Sequence, residues 1–329
     1  VDGFLDDRPM VRERRDDVVL VGLIGGSVAG QLGTRYSEPL VEYLAELPEV
    51  NGRQIELVRL GMPGYHQPQQ MIQLILMLVQ GGELDLLLNI DGFNEIAVPA
   101  ALNLPKDSHP LFPMNWSMVA LDSPDVEQRR LIGAIEFLRQ DRVDRATRFA
   151  ESAVSWSPLA KLVWKLKDRS LERASAGYAW ELQQLANDDL PYFIHGPEWS
   201  RAPDGGLIPW LVDVWIESSL QMKSLCDANG IRYAHFLQPN QYVPGSKVLS
   251  REERSSAYAT ESPYKGVVEE GYPLLRAAGV KLRTAGVEFH DLSDLFRDVG
   301  ETLYVDSCCH YNAQGNRLLA SAIYRALSD

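Results

Sequence analysis

The 329 residues contain only three cysteines, Cys226, Cys308 and Cys309. Thiols this sparse and unrepeated supply neither a disulfide framework nor a zinc-ligand spacing. Cys226 lies in an apolar helical stretch and reads as core. Cys308 and Cys309 are adjacent, a spacing that rarely closes a disulfide. No run of about 18 apolar residues occurs, so no segment reads as a membrane span. Positive charge is also short: 32 Lys and Arg stand against 45 Asp and Glu, a formal net charge of -13. Such a surface repels phosphate backbones and anionic membranes, so nucleic acid is excluded as the expected partner. His109, His195, His235 and His290 show no ligand spacing, and neither a metal nor a cofactor is expected. The amino-terminal stretch VDGFLDDRPMVRERRDD has no apolar h-region and reads as the mature end of a secreted or anchored protein, not as a signal peptide. The expected compartment is extracytoplasmic, periplasmic or secreted, with the cytoplasm as the alternative.

What the chain does have is apolar content, 45% of its residues, enough for a large core. Five short apolar runs read as buried parallel strands: residues 17–26, 55–62, 84–92, 231–239 and 287–295. They are nearly continuous in apolar character, as a strand covered on both faces must be. Helical patterns lie between them at 37–47, 68–81 and 208–229, the last ending at Gly230. Ser250 followed by Glu253 is a capping box, and a final helix begins after Asn312. The alternation predicts an α/β fold of three layers, a five-stranded parallel sheet between helices, with its ligand site beyond the carboxyl ends of the strands.

Residues 97–207 interrupt that alternation. A Pro-rich loop, PALNLPKDSHPLFPMNW, is followed by two helix starts at Ser123-Pro124 and Ser157-Pro158. The stretch 159–186 is rich in Trp, Leu and Lys at helical spacing. The expected organisation is an α/β domain of residues 1–96 and 208–329 carrying a mostly helical insertion, 97–207, that acts as a lid or cap. Trp116, Trp156, Trp164, Trp180 and Trp199 fall in it, and helical spacing makes most of them core.

Four strand ends carry chemistry. The first ends in IGGSVAG, where glycines around Ser27 permit a tight turn with the hydroxyl exposed at a helix start, a position that favours an oxyanion. The second ends in RLGMPGYHQPQQ, where Gly64 lets a substrate oxygen approach its N–H. The third ends in NIDGFNEI and offers the amide of Asn94. Near the carboxyl end, LYVDSCCHYN places His310 and Asp306 just before the last helix. A hydrolase needs a nucleophile, a base and oxyanion donors, and Ser27, His310, the N–H groups of Gly64 and Ser27, and Asn94 supply them.

These blocks resemble those of the SGNH/GDSL hydrolase family. Gly25-Gly26-Ser27 stands for its Gly-Asp-Ser, Gly64 for its second-block glycine, Gly92-Phe93-Asn94-Glu95 for its Gly-x-Asn-Asp, and VDSCCH for its Asp-x-x-His. The resemblance covers the sheet and both ends of the chain but not the insertion. It implies a flavodoxin-like α/β fold and a serine esterase working through an acyl-enzyme. Gly26 and Glu95 depart mildly from the pattern. Asp306 departs more, standing four residues before His310 instead of three, so the loop must bulge by one residue to present its carboxylate. His66, Glu95, Gln238, Asn240 and Lys247 are candidate substrate contacts.

The resulting expectation is a serine ester hydrolase that removes an acyl group, preferably O-acetyl, from a carbohydrate, a polysaccharide or a small ester. An O-acyltransferase acting on a glycan and a silent binding module on the same scaffold are the alternatives.

Overall fold

The computed structural model describes residues 8–106, 108–113, 126–186, 199 and 204–328. It divides into two compact units, one formed by Val1–Met114 with Pro197–Asp329 and the other by Asn115–Gly196.

The first unit is built on five strands: β1 (Val18–Gly25), β2 (Gln54–Arg59), β3 (Leu86–Asp91), β4 (Arg232–Leu237) and β5 (Glu288–Asp291). All pair in parallel, in the order β2-β1-β3-β4-β5. Every residue of β1 and β3 is buried, which explains the unbroken apolar run VVLVGLIG of β1 and the apolar start of LLLNID in β3, whose Asn89 and Asp91 are buried polar residues. The helices are α1 (Ser27–Gly33), α2 (Ser37–Ala45), α3 (Gln69–Val79) and α4 (Phe93–Ala97), then α7 (Leu207–Ala228), α8 (Arg251–Ser256), α9 (Lys265–Thr284) and α10 (Ala313–Ser328), with α5 and α6 in the second unit. The expected strands and helices are all present, trimmed by a few residues at their ends. The capping box at α8 forms, with the Ser250 hydroxyl accepting from Glu253 N–H at 3.0 Å and the Glu253 carboxylate from Ser250 N–H at 2.7 Å.

One expectation is corrected. The start of the Pro-rich loop is helical, continuing from α4 through a π-helical turn, Val98–Asn103, into a 3-10 turn, Leu104–Lys106. Pro99 is the second residue of that π-helical turn.

The strand order reverses between β1 and β3, and the carboxyl ends of these neighbours form the crevice where open α/β sheets bind ligands. Beneath it lies a fully buried polar network. Asp91, the last residue of β3, accepts from Trp215 Nε1 at 2.8 Å, His235 Nε2 at 2.7 Å and Asn89 Nδ2 at 3.0 Å. His235 Nδ1 meets the Ser219 hydroxyl at 2.8 Å. These bonds tie α7, β3 and β4 together directly under the strand ends.

The second unit, among its described residues, is a helix pair, α5 (Val126–Ala150) and α6 (Pro158–Ala186). Arg142 spans it with a two-pronged ion pair to Asp168 at 2.8 and 3.0 Å, and Phe149 stacks on Trp164. The Ser157 hydroxyl accepts from Ala160 N–H at the start of α6. The start expected at Ser123-Pro124, and Trp116, lie outside the described residues. Trp156 and Trp180 correct the expectation of core, being 77% and 62% exposed.

Replacing Asp91 with Ala strands three buried donors. The unfolding free energy is expected to fall by about 3–5 kcal/mol, read from urea midpoints; a loss under about 1 kcal/mol would contradict the network's role.

Candidate active site

The turn from β1 into α1 sets Ser27 at the mouth of the crevice. Gly26, its predecessor, has no room for a side chain: a Cβ there would lie 2.1 Å from Asn94 Nδ2 and 3.4 Å from the Tyr65 carbonyl. The glycine therefore lets the amide of Asn94 and the backbone of the β2–α3 loop press against the Ser27 turn. Asn94 comes from α4, which starts directly after Gly92, a residue with φ of 112° that favours glycine. One N–H of the Asn94 amide donates to the Tyr65 carbonyl at 2.8 Å, leaving its second N–H for other use. The β2–α3 loop is anchored to β1 by Met62 N–H donating to the Gly25 carbonyl at 3.1 Å. Gly64 sits two residues on with φ of 76°. The N–H groups of Ser27 and Gly64 have no acceptor among the described residues.

From the far end of the chain, His310 reaches the same place. Its Nε2 lies 2.7 Å from the Ser27 hydroxyl, and its Nδ1 makes a very short hydrogen bond to Asp306 Oδ2. The four-residue spacing works because Asp306 folds the loop around itself. Its other oxygen, Oδ1, accepts from the backbone N–H groups of Cys308, Cys309 and His310 at 2.9, 3.1 and 3.3 Å. A bridge between Tyr304 and Tyr311 closes the base of the loop. Burial pushes the Asp306 carboxyl up, but the His310 hydrogen bond and charge, with the Cys308 and His310 N–H groups, outweigh it and bring it down to about 2. Asp306 is therefore a carboxylate at neutral pH. A hydroxyl on an imidazole that is itself oriented by a carboxylate is the arrangement that makes an alcohol oxygen a nucleophile.

The loop is held on its carbonyl side as well, by residues that sequence reasoning missed. Gln241 Nε2 donates to the Asp306 carbonyl at 2.9 Å, the Tyr242 hydroxyl to that of Ser307 at 3.0 Å, and Asn240 Nδ2 to that of Cys308 at 3.0 Å. Three successive side chains after β4 thus grip three successive carbonyls. The polar run Asn240-Gln241-Tyr242 at a strand end was the available signal, of which only Asn240 was singled out, as a substrate contact.

The five candidate substrate contacts all have buried side chains, at 4% residue exposure or less apart from Lys247. Asn240 is spent on Cys308. Lys247 pairs with Glu253 at 3.2 Å and donates to the carbonyls of Val299 and Glu301, so it braces the segment before the His310 loop. Glu253 answers by accepting from Leu303 and Tyr304 N–H. Burial raises its carboxyl, yet these backbone donors, Ser250 and Lys247 together hold it below its usual range. Glu95 turns back to accept from Gly92 N–H at 2.6 Å and from Gln70 Nε2 at 2.8 Å. Burial, and then the Asp91 carboxylate, push its carboxyl well up. Gln70 also reaches the Tyr65 carbonyl, so Glu95 supports the surroundings of Asn94 without facing a ligand. Gln238 takes part through its backbone, bonded to Asp91 and Tyr272. His66 is wholly enclosed beside the Gly64 carbonyl, 3.3 Å from Nδ1.

The three side chains Cys308, Cys309 and His310 place ligand atoms within 4.8 Å of one another. Both ring nitrogens of His310 are already engaged, by Ser27 and Asp306. The Cys309 thiol is buried, and its neighbour Cys308, followed by burial, pushes it well up.

No family model matches the chain, and no curated protein matches it. Among solved structures, it is similar to a catalytic mutant of Axe2, an acetylxylan esterase from Geobacillus stearothermophilus, at 11% identity and a TM-score of 0.44, over 95% of this chain and 94% of that one. It is also similar to the acetyl xylan esterase AlAXEase at 11% identity and a TM-score of 0.43, over 93% of this chain and 98% of that one. Likeness at this level carries no residue roles across.

Burial drives the His66 imidazole down to about 4, against the smaller upward pull of the Gly64 and Pro110 carbonyls. The unfolded chain thus takes up a proton first as pH falls. Stability is expected to decline from about pH 6.5 to about 4 by on the order of 3 kcal/mol and then to level off in this contribution. In His66→Gln that segment of the decline should vanish from urea midpoints measured across pH; an unchanged profile would refute the assignment.

Proposed function

We propose that this protein is a serine ester hydrolase of the SGNH type, with Ser27 as nucleophile, His310 as base and Asp306 as the group that orients the base. The observation that carries the reading is the continuous chain from the Ser27 hydroxyl through both ring nitrogens of His310 to the Asp306 carboxylate. His310 Nε2 takes the Ser27 proton as Oγ attacks the ester carbonyl. The N–H groups of Ser27 and Gly64, with the unspent amide N–H of Asn94, receive the oxyanion. His310 then protonates the leaving alcohol. In the second half it deprotonates a water that releases the acid from the acyl-enzyme.

The substrate proposed is a short-chain ester, an O-acetyl group on a carbohydrate or a small alcohol. A crevice bordered by a strongly acidic chain suits a neutral substrate better than an anionic one.

A fluorophosphonate probe is expected to label wild-type protein on Ser27 and to leave Ser27→Ala unlabelled. Among p-nitrophenyl esters of rising chain length, kcat/KM should be highest for acetate, and acetylated polysaccharide should release acetate. Asp306→Asn keeps an oxygen for the backbone N–H groups but turns a donor toward His310, and should lower kcat by about ten-thousandfold with little change in Tm. Labelling of another serine, or full activity in Asp306→Asn, would overturn the relay.

Asn94→Ala tests the oxyanion assignment separately. Loss of one donor is expected to lower kcat about a hundred- to a thousandfold with KM nearly unchanged. An unaltered kcat would remove Asn94 from the machinery.

A further inference from the structure

The acyl-transfer reading gives no task to the paired thiols of Cys308 and Cys309, although they occupy the loop that carries His310. Their sulfurs lie 3.1 Å apart, about 1 Å more than a disulfide bond. Cys308 is partly exposed while Cys309 is buried beside it, so one thiol can be reached from solvent and the other is placed to resolve it. Cys226 is fully buried in α7 and offers neither an accessible thiol nor a nearby partner.

The peptide unit between the two cysteines matters most. Its carbonyl belongs to Cys308 and is held by Asn240, and its N–H belongs to Cys309 and is held by Asp306. A disulfide between adjacent cysteines closes a ring that contains this one peptide unit. Drawing the sulfurs together must turn it, and with it the N–H that fixes Asp306 Oδ1.

We propose that Cys308 and Cys309 form a modification site for low-molecular-weight disulfides, and that closing their disulfide disables the Ser27–His310 pair. The functional half of this proposal rests on the acyl-transfer reading of the site. In the first step the Cys308 thiolate attacks one sulfur of a small disulfide RSSR. A protein–SR bond forms, the RS–SR bond breaks, and the leaving thiolate takes up the proton lost by Cys308. Cys309 then attacks the Cys308 sulfur. The Cys308–Cys309 bond forms, the bond to SR breaks, and the second RSH departs with the proton of Cys309. Two electrons and two protons pass from the protein to RSSR.

The test treats the reduced protein with 2-hydroxyethyl disulfide and follows intact mass, the peptide carrying residues 308 and 309, and the rate of fluorophosphonate labelling. The expected result is a loss of about 2 Da confined to that peptide, with labelling slowed about a hundredfold and restored by dithiothreitol. For Cys308→Ser the ratio of labelling rates before and after treatment should stay near unity. The proposal is overturned if Cys308 stops at the mixed disulfide, if two chains become linked, or if the internal disulfide forms and labelling changes less than about threefold. Absence of labelling even in the reduced protein contradicts the esterase reading instead. The His310 ring NMR signals then decide the matter, since they must shift on oxidation in wild type and not in Cys308→Ser; unshifted signals overturn the proposal.

Discussion

One carboxylate organises the site. Asp306 uses one oxygen to gather three consecutive backbone N–H groups and the other to hold the ring of His310. A loop with no regular structure thereby acquires a single conformation, and the imidazole is aimed at Ser27 across the crevice between β1 and β3. Without that carboxylate the loop would expose unpaired N–H groups and the imidazole would lose its orienting partner. The low position of the carboxyl follows from the same contacts, because burial is the largest single influence and raises it, yet the His310 contact and the backbone donors together outweigh it.

The surroundings serve the same end. Asn240, Gln241 and Tyr242 hold the carbonyl side of the loop, and the buried Lys247–Glu253 pair braces the segment before it. Glu95 and Gln70 fix the backbone at Tyr65, against which Asn94 rests. Asp91 ties together the strands and helix beneath. Buried polar groups of this kind contribute little net stability, yet each leaves a costly orphan if its partner goes. They therefore specify one arrangement of the strand ends more than they strengthen the fold.

The sheet was legible in the sequence because a strand covered on both faces is nearly continuous in apolar character, as β1 is throughout and β3 is apart from the buried Asn89 and Asp91. Ser27, Asn94 and His310 were legible because each follows a strand end or precedes a helix that the sequence marks clearly, and the structure brings them together. The bulge at Asp306 could be posed only as a condition, since the three N–H groups that satisfy it belong to backbone and leave no trace in residue type. His66, Glu95, Asn240 and Lys247 looked like substrate contacts because polar residues at strand ends suit that role. Their partners, Gly64, Gly92, Cys308 and Glu253, include backbone groups and residues distant in sequence, which periodicity does not pair. The helical start of the Pro-rich loop was hidden because Pro99 reads as a helix breaker.

A crystal structure of the protein carrying a covalently bound phosphonate tests the central claim most directly, since the phosphonyl group mimics the tetrahedral intermediate. The account predicts phosphorus bonded to Ser27 Oγ, with one phosphonyl oxygen about 2.7–3.1 Å from the N–H groups of Ser27 and Gly64 and from Asn94 Nδ2, and His310 still bonded to Asp306. Phosphorus on another residue, or a phosphonyl oxygen turned away from all three donors, would contradict it.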